Sequence, residues 1–86
     1  MPAPPSSPLT VALFAGMAEL AGARSVTVAW SGGSVADLRR ELGVAHPKLI
    51  PLLERSAVAV AGQYATDTQP VAAGSEVAII PPVSGG

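Results

Sequence analysis

The side chains of this 86-residue chain provide few candidates for catalysis. His46 is the only histidine, it stands directly before Pro47, and the sequence has no cysteine. A single histidine without cysteine or a neighbouring acidic pair is more typical of a surface residue than of a base or metal ligand. The Gly32-Gly33 pair is not followed by the lysine of a phosphate-binding loop. We therefore expect no metal site, no cofactor bound by this chain and no independent enzyme activity.

The one group presented for reaction is the carboxylate at the end of the tail, Pro81-Pro82-Val83-Ser84-Gly85-Gly86. The proline pair removes two backbone N–H donors, so the preceding strand must stop and the chain must leave it extended. The two glycines lack a Cβ and can enter a channel too narrow for other residues. A carboxylate repels nucleophiles, but adenylation by an ATP-using partner would make an anhydride that sulfur or an amine can attack. The ordinary alternative is a frayed terminus.

Composition excludes several other functions. Five basic and six acidic residues give a net charge of −1, which disfavours nucleic-acid binding. No apolar run reaches the roughly 18 to 20 residues of a membrane span. The first 18 residues contain four prolines and no basic residue, unlike a secretory signal, so we expect a cytoplasmic protein. Hydrophobic residues make up 49% of the chain, many of them alanine and valine, which predicts a thin core of small side chains.

Hydrophobic periodicity predicts the elements that hold this tail. Strand patterns cover residues 9–15, 25–30, 57–61, 64–65 and 76–80, and the first two strands should be antiparallel. Residues 35–42 form the main helix, with Ser34 and Asp37 as a capping box and Gly43 at its end. Residues 16–22 predict a helical turn, Pro51 fits the first turn of a short helix, and a hairpin turn falls at residues 62–63.

The element order, β-β-α-β-β-β, predicts an α+β fold. Handedness and layering rules favour one mixed sheet with the main helix packed across one face. We divide the chain into a flexible proline-rich leader (residues 1–8), a globular domain (9–80) and an extended tail (81–86).

From Leu9 to Gly86 the chain resembles the small subunit of molybdopterin synthase, a ubiquitin-like sulfur carrier of the MoaD type. The most specific stretch is residues 74–86, Gly-Ser-Glu-Val-Ala-Ile-Ile-Pro-Pro-Val-Ser-Gly-Gly. Residues 11–22 and the helix start Ser34-Val35-x-Asp37-Leu38 support it. The resemblance implies a β-grasp fold. Members of this family often carry a polar residue after the third strand, where this chain has Ala61-Gly62.

The resemblance also implies a mechanism and partners. An adenylating enzyme would use ATP to activate the Gly86 carboxyl, and a sulfur donor protein would convert it to a thiocarboxylate. The large synthase subunit, in a heterotetramer, would receive the tail and pass the sulfur to cyclic pyranopterin monophosphate, two deliveries completing the molybdopterin dithiolene. The implied site comprises the tail residues Val83, Ser84, Gly85 and Gly86 and the partner-binding residues Ile79, Ile80, Pro81 and Pro82. Strand alternation places one of the two isoleucines in the core.

Three alternatives stay open from the sequence. The chain could carry sulfur for thiamine or cysteine synthesis, since such carriers share the Gly-Gly end. It could modify lysines in the manner of ubiquitin. It could also be a β-grasp module that binds partners without covalent chemistry and has an inert tail.

Overall fold

The computed structural model describes residues 7–81. These residues form seven strands and three α-helices, in the order β1 Ser7–Leu13, α1 Ala15–Ala21, β2 Ser25–Trp30, β3 Gly33–Ser34, α2 Val35–Ala45, α3 Ile50–Leu53, β4 Ala57–Val60, β5 Gln63–Ala65, β6 Pro70–Val71 and β7 Val77–Ile80. A 3₁₀ turn, Pro47–Leu49, joins α2 to α3. Residues 1–6 of the predicted leader and residues 82–86 of the tail lie outside the described residues. β1 begins at Ser7, two residues before the predicted domain start at Leu9.

Five strands form one mixed sheet in the order β2-β1-β7-β4-β5. β1 is antiparallel to β2, as predicted, and parallel to β7, with Val11 opposite Val77. β4 is antiparallel to both β7 and β5. β3 and β6 form a separate two-stranded ladder. A first strand paired in parallel with the last, under one crossing helix, is the β-grasp arrangement, and this confirms the predicted α+β class.

The helix α2 packs across one face of the sheet, as its capping box and apolar stripe predict. Ser34 Oγ accepts from the Asp37 N–H at 3.2 Å, and Ser34 N–H donates to Asp37 Oδ2 at 3.0 Å. The stripe residues Val35, Leu38 and Leu42 are completely buried. They belong to one continuous core with side chains from the sheet, the 3₁₀ turn and the other two helices.

The predicted end of this helix at Gly43 is wrong, because α2 continues to Ala45 and is capped by His46. Gly43 is buried inside the helix, and a Cβ placed there would lie 3.2 Å from Ile50 Cγ1. The missing side chain therefore allows α3 to approach α2 closely. A glycine near a helix end indicates termination on average, but here it serves packing between helices.

The capping box makes folding sensitive to pH. Hydrogen bonds from the backbone and hydroxyl of Ser34, with help from Arg40, hold the pKa of Asp37 below its ordinary value of 3.8. The unfolded chain therefore binds a proton at this site more readily than the folded chain, so the stabilisation is present above pH 3.8 and is lost as the pH falls through the lowered pKa. We expect Asp37→Asn to lower the urea midpoint at about pH 6, and we expect this deficit to shrink progressively as the pH is lowered below 3.8. A deficit that stays constant over that titration would contradict this account.

Several further details differ from the sequence predictions, and one is that the predicted element order omits the short strands β3 and β6 and their separate ladder. β1 ends at Leu13 rather than Ala15, because Ala15 begins α1. The hairpin turn is Ala61-Gly62, one residue earlier than predicted: both residues have positive φ (52° and 80°), as a two-residue hairpin requires. The core is not built of small side chains, since its fully buried members include four leucines, Met17 and Ile79.

None of the helices within residues 7–81 has the length and apolar character to cross a membrane.

Candidate functional site

The tail leaves the sheet from an interior strand. β7 is paired on one side with β1 and on the other with β4, so that Ile79 lies opposite Leu13 and Val58, and Ile80 opposite Ala57. β7 ends at Ile80, directly before Pro81, as the missing N–H of proline requires. Hydrogen bonding on both sides fixes the position and direction in which the chain leaves the domain. Pro82 and the tail residues Val83, Ser84, Gly85 and Gly86 lie outside the described residues.

The two isoleucines before the tail occupy opposite faces of the sheet. Ile79 is fully buried in the core, while Ile80 is half-buried on the other face and Pro81 is half-buried after it. The alternation expected from the sequence is confirmed, and it separates two roles. Ile79 holds the base of the tail in the core. Of the described residues predicted to bind a partner, Ile80 and Pro81 have surface left for direct contact.

The face of the sheet turned away from α2, which we call the open face, is apolar around β7. A row of paired residues crosses it in the order Ala12, Ala78, Ala59 and Tyr64. Their side chains alternate with core residues along each strand, so they lie on the side opposite the helix. The alanines are half-buried, and Tyr64 at the edge is 74% exposed.

Two more apolar residues extend this face at the end where the tail leaves. Ala57 lies beside Ile80, and Phe14, extended and 51% exposed, continues the alternation of β1 on the same side. No strand residue on the open face is charged within residues 7–81. A contiguous exposed apolar surface marks an interaction site more often than scattered apolar residues do. The open face is therefore a candidate docking surface.

Several polar side chains of the described residues make structural contacts. Arg39 Nε donates to Asp67 Oδ1 at 3.0 Å, and its Nη1 donates to the Leu53 carbonyl. The indole N–H of Trp30 donates to the Val71 carbonyl at 2.9 Å, which ties β6 to the end of β2. Within residues 7–81, no group of three histidine, aspartate or glutamate side chains is placed to hold a metal ion.

The open face is the part of the site that sequence reasoning missed. Its signal is visible in the strands: β4 reads Ala-Val-Ala-Val and β7 reads Val-Ala-Ile-Ile, with the small residues on one face of each. Without the strand order, however, nothing in the sequence brings these alanines together. The β1–β7–β4 pairing does so.

The chain is similar in sequence and in structure to known proteins. Residues 11–86 match the model of the ThiS family. Small archaeal modifier protein 1 of Haloferax volcanii is 40% identical over 83 residues, covering 86% of this chain and 95% of the relative. A crystal structure of that modifier has a TM-score of 0.78 at 35% identity, covering 93% of this chain and 100% of the modifier. A Pyrococcus furiosus protein assigned as subunit 1 of a molybdopterin converting factor has a TM-score of 0.76 at 28% identity, covering 91% and 100% of the two chains.

Proposed function

Because the chain belongs to the ThiS family of ubiquitin-like proteins, we propose that it is a sulfur carrier loaded at the carboxyl of Gly86. The observation that carries this proposal is the extent of the family match, which runs from residue 11 through the Gly-Gly end at residue 86. The chain is then a protein substrate rather than a catalyst. Its partners supply the ATP, the sulfur and the catalytic side chains.

The proposed loading has two steps. The Gly86 carboxylate attacks the α-phosphate of ATP in the adenylating enzyme, releasing pyrophosphate and leaving an acyl-adenylate. Hydrosulfide delivered by a sulfur donor protein then attacks the acyl carbon, breaks its bond to the AMP oxygen and leaves a thiocarboxylate and free AMP. Both steps require the terminal carbon to reach an active site on another protein. Gly85 and Gly86 suit that passage because they have no side chains, and Val83 and Ser84 connect them to the domain.

In the proposed function, the domain supplies the binding energy for docking and fixes the position at which the tail begins. We assign docking to the open face together with Ile80, Pro81 and Pro82, and we assign Ile79 to the core beneath them. Burying apolar surface is the main favourable term in such an association. Since β7 is held by strands on both sides, the distance from the docked face to Gly86 depends only on the tail.

The receiver we propose is the large subunit of molybdopterin synthase, in a heterotetramer that converts cyclic pyranopterin monophosphate to molybdopterin. Two features support this choice over carriers for thiamine or cysteine synthesis. One is the Pro-Pro-Val-Ser spacing before Gly85-Gly86. The other is the likeness to the Pyrococcus protein assigned to a molybdopterin converting factor.

A second function, covalent protein modification, is favoured by the 40% identity to small archaeal modifier protein 1. It would use the same activated carboxyl. A lysine amine of a target would attack the activated carbonyl, form an isopeptide bond and release AMP. The two functions therefore share the tail and the first chemical step, and they differ in the nucleophile.

A reconstituted molybdopterin synthase assay tests whether the large subunit receives the sulfur from this chain. Thiocarboxylated chain mixed with a molybdopterin synthase large subunit and cyclic pyranopterin monophosphate should yield molybdopterin, with two thiocarboxylates consumed for each product. An established small subunit with the same large subunit is the positive control. If that control forms product and this chain keeps its sulfur, the molybdopterin assignment is wrong. An immunoblot for conjugates in cells then tests the modifier function.

A further inference from the structure

The outer edge of β2 is the longer of the two free edges of the five-stranded sheet. β2 and β5 are the outer strands, with six and three residues respectively. A free edge can pair with another chain, and natural edges are protected by shortness, charged residues, proline or bulges. Shortness protects β5. β2 reads Ser-Val-Thr-Val-Ala-Trp and has neither a charged residue nor a proline.

Three residues of β2 present their backbone groups to this edge. Leu13 N–H donates to the Arg24 carbonyl at 2.8 Å, which makes these two a hydrogen-bonded pair. Such pairs alternate along an antiparallel ladder, so every second residue from Arg24 points its backbone groups at β1. The residues between them, Ser25, Thr27 and Ala29, direct their N–H and C=O groups outward, and all three are exposed. No other strand within residues 7–81 pairs with this edge.

His46 gives independent support for this orientation. Its Nε2 lies 3.5 Å from the Thr27 carbonyl oxygen, at the outer limit of a hydrogen bond. The contact reaches the central acceptor of the edge, and no group within residues 7–81 accepts from the N–H groups of Ser25, Thr27 and Ala29. An incoming strand would therefore have to displace only one weak side-chain contact.

The charges beside the edge indicate the kind of strand that fits. Arg24 precedes β2, and Lys48 lies two residues after His46 in the 3₁₀ turn; both are exposed. Glu19, also exposed, lies on the neighbouring helix α1. Arg24, directly before β2, favours an acidic residue at the end of an incoming strand that lies beside it, while the uncharged middle of β2 favours an uncharged segment opposite it.

A second copy of this chain fits the edge less well. Pairing two β2 edges about Thr27 would place both helical layers on the same side of the joined sheet. His46, which lies against Thr27, would then face His46 of the other copy across the two-fold axis. Two six-residue edges would also meet along only about 20 Å, one strand wide.

We propose that the outer edge of β2 binds an extended segment of a partner protein, uncharged in its middle and acidic at one end, which adds a strand to the sheet. Such strand addition takes its affinity from main-chain hydrogen bonds. The site goes beyond sulfur carriage, because β1 separates β2 from β7 and the tail. A partner held here leaves both the open face and the tail available to an enzyme.

Nuclear magnetic resonance of the full chain tests this with a defined probe, the peptide acetyl-Asp-Asp-Val-Thr-Val-Thr-Val-amide. The peptide should shift the amide signals of Ser25, Thr27 and Ala29 in a saturable manner. Thr27→Pro removes an outward N–H without touching the β1 ladder, and we expect it to weaken binding at least about fivefold. Thr27→Val keeps the N–H and the β-branched shape and should bind within about twofold of wild type. The amide spectra of both variants report whether they fold.

The outcomes that overturn the proposal are equally defined. Equal binding by Thr27→Pro and Thr27→Val, or shifts confined to other strands, would contradict an edge site. If Thr27→Pro does not fold, the same peptide with N-methylated valines provides the test, and undiminished binding of that peptide overturns the proposal. A probe with lysines in place of the aspartates should bind at least about threefold more weakly. Self-association in analytical ultracentrifugation that Thr27→Pro abolishes would assign the edge to a second copy instead.

Discussion

Deleting Gly86, or adding one residue after it, should abolish sulfur loading while leaving the domain folded. The proposed chemistry occurs at one carbon atom, and its distance from the docked face is set by the number of residues after β7. A chain one residue shorter or longer presents its carboxyl out of register with the catalytic groups of the adenylating enzyme, and a displacement of about 1 Å can cost 10²-fold in rate. The measurement is thiocarboxylate formed per chain, by intact mass spectrometry, with ATP, adenylating enzyme and sulfur donor in excess.

Stability should not change in these variants, because within residues 7–81 the buried hydrophobic residues all lie between Leu9 and Ile79. Deleting Pro2 is the matched control, since it removes one residue from the other end of the chain and should leave loading intact. If the Gly86 deletion still accepts sulfur at the wild-type rate, the terminal glycine is not the loaded residue.

The second prediction with a large effect is that alanine substitutions at Ile79 and Ile80 change different properties, stability at Ile79 and partner binding at Ile80. Ile79 is fully buried, so Ile79→Ala should cost about 2–5 kcal/mol of the free energy of unfolding. That is a large share of the roughly 5–15 kcal/mol that stabilises a domain. Ile80 is half-buried on the open face, so Ile80→Ala should cost less stability and weaken binding to the enzyme partner by about 1–2 kcal/mol.

Urea unfolding and a binding titration measure the two effects separately. The pair is matched because the same substitution is made at adjacent positions of one strand. Unchanged binding with Ile80→Ala would show that the open face next to β7 does not contribute to docking. A small stability loss with Ile79→Ala would mean that the base of the tail is held by backbone pairing alone.

Much of the fold could be predicted from local sequence patterns. The Ser34–Asp37 box and the apolar stripe of Val35, Leu38 and Leu42 define α2, and alternation places Ile79 and Ile80 on opposite faces. These features depend on neighbouring residues and are readable from spacing. The predicted helix end at Gly43 is wrong because the role of this glycine is to allow close approach of Ile50. Ile50 reaches it only after the chain reverses through the 3₁₀ turn.

Features created by strand order could not be predicted. The alanine row of the open face joins residues from the beginning, middle and end of the chain, and only the parallel β1–β7 pairing brings Ala12 beside Ala78. The free edge of β2 depends in the same way on which strands remain outermost. The chemistry proposed for the tail stays a prediction, and it comes from the sequence because a Gly-Gly carboxylate needs no tertiary contact to define it.

The most direct test of the central claim is the intact mass of the chain after incubation with ATP, an adenylating enzyme of this family and a sulfur donor protein. We predict a mass increase equal to replacement of one oxygen by sulfur, located on Gly86 by fragmentation and absent when ATP is omitted. An unchanged mass, with an established carrier converted in the same mixture, would contradict the assignment of this chain as a sulfur carrier.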